Sequence, residues 1–167
     1  MWVAFAIQFY LDYDLGFLGV YPKEPYGLIG IITAPLIHGS LSHIISNTFP
    51  LLFLGTTLYV FYPKVAPWVF TSCYIMTGFL VWIFGREFYH IGASGLIYGI
   101  AFFLIFLGFF RKDMKSLVIS IFVLLIYGGM IYGLWSEDES VSWESHSFGA
   151  AVGIALSFVY RKPRRGT

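Results

Sequence analysis

Charge is what this sequence has least of. Only 11% of its 167 residues are Asp, Glu, Lys or Arg, against about 25% in soluble domains. The balance is filled by 58% hydrophobic and 21% aromatic residues, which excludes a soluble globular class. Cysteine is nearly absent too. Cys73 stands alone in an apolar segment, so an intramolecular disulfide, CxxC redox chemistry and cysteine-rich zinc sites drop out. No basic face with interleaved aromatics exists, and the only basic run is the tail Arg161-Lys162-Pro163-Arg164-Arg165. Nucleic acid is therefore not an expected partner. HExxH is missing, and the acids sit in loops rather than beside His38, His43, His90 and His146 in a span, so neither a metal nor another cofactor is expected. Inverted repeats of the transporter kind, low-complexity segments and a second domain are also lacking. What remains is an all-α membrane protein, one domain over residues 1–167, with the lipid bilayer as its surroundings.

A helix needs about 20 mostly apolar residues to cross a membrane. Runs of that kind cover about 41–62, 65–84, 91–110, 117–135 and 146–160. The first run, Trp2 to Leu11, stops at Asp12 and Asp14 and has no positively charged start of the signal-peptide kind. It is half a transmembrane helix, or one whose start lies outside this chain. Gly27 to Ile37, broken by Gly30 and Pro35, is too short to span and fits an interfacial or re-entrant piece. With the partial helix counted first, Ser94 opens the fourth helix and His146 the sixth. Tyr59, Tyr62, Trp68, Trp135 and Trp143 read as interfacial anchors. Close packing is the expectation for Gly128-Gly129.

Loop charges orient the bundle. Lys64, Arg111, Lys112, Lys115, Arg161, Lys162, Arg164 and Arg165 fall on one side with a single acid, Asp113. The other side holds Lys23 and Arg86 among Asp12, Asp14, Glu24, Glu87, Glu137, Asp138, Glu139 and Glu144. The positive-inside rule makes the first side, and with it the C-terminus, cytoplasmic. The expectation is a multi-pass protein of the cell membrane.

Parity then gathers the polar residues. The spans starting near Leu41, Ile91 and His146 all begin on the non-cytoplasmic side. His43 and Asn47, Ser94, and His146 lie in their first turns, so at about 1.5 Å rise per residue they share one depth. Intramembrane ionisable residues are costly and mark function by default. His43 and Asn47 share a helix face at i, i+4, as do Ser94 and Tyr98. Gly95 and Gly99, and Gly149 and Gly153, form small-xxx-small strips that let the Ser94 and His146 helices approach. A serine is a weak nucleophile until a base takes its proton, and histidine is the obvious base. A histidine and an asparagine nearby supply donors for an oxyanion. Glu144, two residues from His146, faces elsewhere on a helix, so no triad is assigned. His90 reads as a loop residue.

Three motifs carry a resemblance. His38-Gly39-Ser40-Leu41-Ser42-His43-Ile44-Ile45-Ser46-Asn47 is similar to HxxxxHxxxN. Gly92-Ala93-Ser94-Gly95 is similar to GxSG, and His146-Ser147-Phe148-Gly149-Ala150-Ala151-Val152-Gly153 to HxxGxxxG. Together, over about residues 33 to 160, they resemble the rhomboid intramembrane serine proteases. The resemblance implies a six-helix transmembrane bundle, here with a truncated first helix. Ser94 becomes the nucleophile and His146 the general base. His43 and Asn47, with the Ser94 backbone N–H, form the oxyanion hole, and Gly92 belongs to its strand. Tyr98 packs on His146 and orients it, while His38 is open to a structural or water-binding role or a direct one. Gly95, Gly149 and Gly153 serve helix packing. The implied substrates are transmembrane proteins, cut near the non-cytoplasmic end of their helices, with the active site opening to that side. The rival readings are a catalytically silent rhomboid-like protein that binds transmembrane clients, and a metal-dependent membrane protein or transporter using His38, His43, His90 and His146. The loops between helices one and two give no reading of how substrate is gated.

Overall fold

The computed structural model describes residues 1–135 and 141–162. Glu137, Asp138, Glu139, Arg164 and Arg165, which entered the charge count, lie outside the described residues. Helix α1 is Trp2–Leu11, and the following loop carries 3-10 turns at Gly16–Leu18, Pro25–Ile29 and Ala34–Leu36 around the short α2, Gly30–Thr33. The long helices are α3 (Leu41–Phe61), α4 (Ala66–Phe84), α5 (Ser94–Arg111) and α6 (Met114–Tyr127). Helix α6 tightens into a 3-10 segment over Gly128–Trp135, and α7 covers Trp143–Val159. Among the described residues the only β pairing is one isolated antiparallel bridge, Val20 to His90. The fold is an all-α membrane fold.

By length and composition, α3, α4, α5 and the stretch Met114–Trp135 can each cross a bilayer. Helix α7, at 17 residues, stands at the lower limit for a span. Local chemistry sets the helix starts. Ser40 caps α3 by accepting from the His43 N–H at 3.1 Å. Asp113 caps α6 by accepting from the Ser116 N–H at 2.9 Å. Each satisfies a backbone donor that the first turn leaves unpaired. Pro67 sits in the opening turn of α4, where its missing N–H costs nothing. Helix α5 has no side-chain cap at its start, so its first N–H groups remain available to a ligand.

Helix α5 is the hub. Within its span 67% of residues are buried inside the bundle, against 22% in α3, α4 and the α6 stretch. It packs on α3, α4, α6 and α7, most extensively on α7. Its buried apolar residues, including Leu96, Ile100, Phe103, Leu104 and Leu107, meet Leu54, Leu58, Val69 and Val123 from its neighbours in the main core. In lipid such a bundle gains nothing from burying apolar area against apolar area, so close packing and backbone contact must hold it. The glycines supply that contact. A Cβ at Gly149 would strike the Gly95 carbonyl, and one at Gly153 would strike the Gly99 carbonyl. The backbones of α5 and α7 therefore touch.

The structure corrects several sequence readings. Residues 91–93 are not helical, and the fourth long segment becomes helix only at Ser94. The stretch 117–135 is not one α-helix, because it changes to 3-10 at Gly128. Gly128 and Gly129 are not close-packing residues. A Cβ at Gly129 would meet nothing within 4 Å, and one at Gly128 only the Leu124 side chain. They mark where the helix tightens, as glycine's weak helix propensity permits. Tyr62 is not an interfacial anchor but a core residue, 5% exposed, whose hydroxyl donates to Ser116 Oγ at 3.1 Å. Trp68 and Trp135 are exposed at 61% and 75%, as an anchoring role requires.

The glycine contacts make a direct test. Gly153→Ala should lower thermal stability in detergent micelles by about 1–3 kcal/mol through overpacking. Gly55→Ala, where nothing lies within 4 Å of the added methyl, should be neutral or stabilising, since alanine is the better helix former. Equal effects at the two positions would remove the backbone contact as the cause.

Candidate active site

The segment Ile91 to Ala93 enters α5 as a bent, non-helical chain. Gly92 has φ +103°, a conformation closed to L side chains. Its N–H donates to the Ala34 carbonyl at 2.9 Å, and the His43 ring occupies the space where a Cβ would stand. The turn delivers Ser94 to the first position of α5, half-buried, at the wall of a cavity of about 570 Å³. His43 and Asn47 of α3, Tyr98 of α5 and His146 of α7 line the same cavity. The structure thus brings together residues separated by as many as 103 positions in the chain.

His146 sits in the first turn of α7. Its Nε2 lies 2.9 Å from Ser94 Oγ, and its Nδ1 lies 2.9 Å from the Gly133 carbonyl oxygen. That pair of partners fixes the tautomer. A carbonyl oxygen can only accept, so Nδ1 carries the proton and donates it to Gly133. Nε2 is left with its lone pair, directed at the Ser94 hydroxyl. A serine Oγ–H facing a free imidazole nitrogen is the arrangement that activates the hydroxyl as a nucleophile. Tyr98 holds the ring from the side. Its own ring stacks on the imidazole with centroids 4.2 Å apart and planes 6° from parallel. The Tyr98 hydroxyl donates to the Met130 carbonyl at 2.8 Å. Met130 and Gly133 both belong to the 3-10 segment, which therefore anchors both aromatic partners of the site.

The α3 residues are arranged differently from one another. His43 abuts Gly92 and meets His38 edge-on at 4.8 Å between ring centroids. Asn47 is 4% exposed, and its Nδ2 donates to the His43 backbone carbonyl at 2.8 Å. One amide hydrogen is thus committed to its own helix and one is left. His38 is fully buried. Burial, reinforced by His43, pushes its pKa down to about 4, so it is neutral at physiological pH. Gly95 abuts the Ser145 carbonyl, and Gly149 and Gly153 hold α7 against α5 as described. Among the described residues no group of three His, Cys, Asp or Glu side chains is placed to hold a metal.

A family comparison decides the kinship. The model of the Rhomboid domain matches residues 25–163. The chain belongs to the rhomboid family. Rhomboids are in general intramembrane serine proteases, although some members are inactive. This rhomboid is similar to the uncharacterized protein Rv1337 of Mycobacterium tuberculosis, with 34% identity over 156 residues, 88% of this chain and 65% of the relative. It is also similar to the uncharacterized protein ML1171 of Mycobacterium leprae, with 34% identity over 150 residues, 84% of this chain and 59% of the relative. The chain thus spans about three fifths to two thirds of the length of the curated relatives it matches.

A second cluster in this rhomboid lies beside Ser94 and His146, at residues that the sequence reading left outside the site. Arg86 reaches both carboxylate oxygens of Glu144. Its Nε engages Oε1, and a terminal nitrogen lies 3.1 Å from Oε2. Another hydrogen bond, at 3.2 Å, runs from Arg86 to the Val141 carbonyl. The guanidinium also lies over the Phe88 and Trp143 rings. His90 Nδ1 is 2.6 Å from Ser142 Oγ, and His90 Nε2 is 3.0 Å from the Arg86 carbonyl. Ser142 in turn caps α7 by accepting from the Ser145 N–H at 3.4 Å. The loop before Ser94 is therefore latched to the helix start before His146. Glu144 is 2% exposed, and its bidentate partner explains how a carboxylate is tolerated there. The one sequence signal was Arg86 itself, a cation on the acid-rich side.

The latch should show up as coupling. A double-mutant cycle of Arg86→Ala and Glu144→Ala, read by unfolding in micelles, should give an interaction energy above the ~1 kcal/mol of exposed ion pairs. Additive effects of the two substitutions would show that the contact does not hold the loop to α7.

Proposed function

We propose that this rhomboid is an intramembrane serine protease that hydrolyses a peptide bond of a transmembrane substrate through an acyl-enzyme on Ser94. The observation that carries the reading is the 2.9 Å contact between Ser94 Oγ and the His146 nitrogen that faces no other acceptor or donor in the dyad. Ser94 Oγ attacks the substrate carbonyl carbon while His146 Nε2 takes its proton. The resulting oxyanion is met by the free N–H at the start of α5, by the His43 ring and by the remaining Asn47 amide hydrogen. As the C–N bond breaks, His146 returns the proton to the leaving amine. Water then attacks the ester, with His146 again as base. The new carboxyl terminus leaves, and the hydroxyl proton returns to Ser94. The Gly133 carbonyl stabilises the imidazolium formed in both halves, so a carboxylate is not needed.

The charge distribution supports a C-terminus in the cytoplasm of a cell-membrane protein, with the cavity opening on the opposite side. Cleavage then falls near the non-cytoplasmic end of the substrate helix. We read residues 1–167 as one domain, with His38 as a structural support for His43.

A fluorophosphonate probe should label the purified wild-type protein on Ser94 and leave Ser94→Ala and His146→Ala unlabelled, because an unassisted serine hydroxyl is nearly unreactive. Labelling that survives Ser94→Ala would sink the assignment. A wild-type protein that stays unlabelled while retaining transmembrane peptides would instead be a silent client-binding rhomboid.

The oxyanion donors should differ in weight. His43→Ala should lower turnover by up to about 10²–10³-fold, the range for loss of one such donor. Asn47→Ala should cost less, because half of its amide already serves its own helix. Full cleavage by the double variant would remove both from the oxyanion hole.

A further inference from the structure

At the end of the bundle away from Ser94, five helix ends surround a second pocket of about 230 Å³. Four cations line it: Lys64, Arg111, Lys115 and Lys162. Its apolar surface comes from Phe61, Pro63 and Val65, over the buried Leu107. The nearest acid, Asp113, lies 3.0 Å from Arg111 Nε. One carboxylate against four cations leaves a formal excess of three positive charges. The pairing is also incomplete. Arg111 Nε is buried and makes no aligned hydrogen bond. Lys115 is partly spent, donating to the Phe61 carbonyl at 2.6 Å and lying over the Phe61 and Tyr62 rings. Lys64 and Lys162 have no ion pair among the described residues.

Position narrows the occupant. Helix α5 runs from Ser94 to Arg111, 18 residues, so the pocket lies about 27 Å along the axis from the dyad. That distance matches a hydrocarbon core of roughly 30 Å, which sets the pocket at the headgroup level of the opposite leaflet. A basic pocket between helices at that level suits a lipid phosphate. A soluble phosphate ester would use the cations but not the apolar surface. A phospholipid uses both, because its phosphate can meet the lysines while its glycerol and first acyl carbons cover Phe61 and Val65.

We infer that the pocket between the ends of α3, α4, α5, α6 and α7 is a binding site for the phosphate group of an anionic phospholipid, held by Lys64, Arg111, Lys115 and Lys162. The site does not depend on the proteolytic reading, since it shares no residue with the dyad cavity.

Native mass spectrometry of the full chain released from a non-ionic detergent gives the test. Phosphatidylglycerol and phosphatidylcholine of equal chain length are offered in parallel, and glycerol 1-phosphate in a third arm. Phosphatidylglycerol should be retained preferentially, and the soluble ester should neither bind measurably nor displace it. Lys64→Gln/Lys162→Gln should weaken the phosphatidylglycerol adduct by about 30-fold, several-fold for each lysine near the surface. Both lysines are exposed, so the variant should fold, and its melting temperature without lipid checks this. The single variants should each show part of the loss. Lys23→Gln, at the other end of the molecule, should change nothing. Equal retention of the two lipids, or an adduct unaffected by the double substitution, overturns the inference. Binding of glycerol 1-phosphate as tight as that of the lipid overturns the lipid assignment in favour of a soluble phosphate ester.

Discussion

The contact between the α5 and α7 backbones governs everything else in this molecule. Helices packed through ordinary side chains stand about 8–10 Å apart. Here the Gly95 and Gly99 carbonyls lie where Gly149 and Gly153 would carry side chains, so the two axes come closer. Ser94 begins α5 immediately before Gly95, and His146, in the first turn of α7, lies three residues before Gly149. Their separation is therefore set by main-chain geometry in rigid helices, not by the reach of two side chains. A bilayer gives no hydrophobic premium for bringing helices together, which makes this backbone fit the dominant means of holding a Ser–His hydrogen bond at 2.9 Å.

Two further devices refine that placement. One is the change of α6 to 3-10 geometry at Gly128, which turns the Met130 and Gly133 carbonyls toward Tyr98 and His146. The other is the latch of Arg86 and His90 onto Glu144 and Ser142, which ties the chain on either side of the site. The first fixes how the imidazole is oriented. The second fixes how the loop before Ser94 meets the helix start before His146. Neither places a carboxylate against the imidazole.

Much of this was legible in the sequence because it rests on side chains at fixed spacing. Low charge and long apolar runs gave the fold class. Ser94, His146, His43 and Asn47 stood out as polar residues at one depth of three like-directed spans, and the family motifs named the same set. The illegible parts are main-chain events. No residue type announces that the Gly133 carbonyl will face an imidazole, and an apolar run such as 117–135 has the same composition as α-helix or as 3-10. Gly128 and Gly129 were misread for that reason, since glycine serves tight packing and loosened helix alike. Tyr62 was misread because an aromatic at a helix end looks the same whether its hydroxyl meets a headgroup or Ser116. The Arg86–Glu144 pair joins a loop to the first turn of α7 across 58 positions, where no periodicity links partners.

The Gly133 carbonyl has one more consequence. In a three-residue catalytic set with an acid, one codon change can delete the acid and leave the rest standing. Here the group that receives the imidazole proton is part of the peptide bond itself. Every amino acid at position 133 would bring the same oxygen, and substitution there could act only through the bulk it adds against Tyr98 and His146. On the proposed mechanism, drift in a gene lineage has few quiet routes to disarm this pair. It must strike Ser94 or His146 outright, or reshape the backbone that carries them.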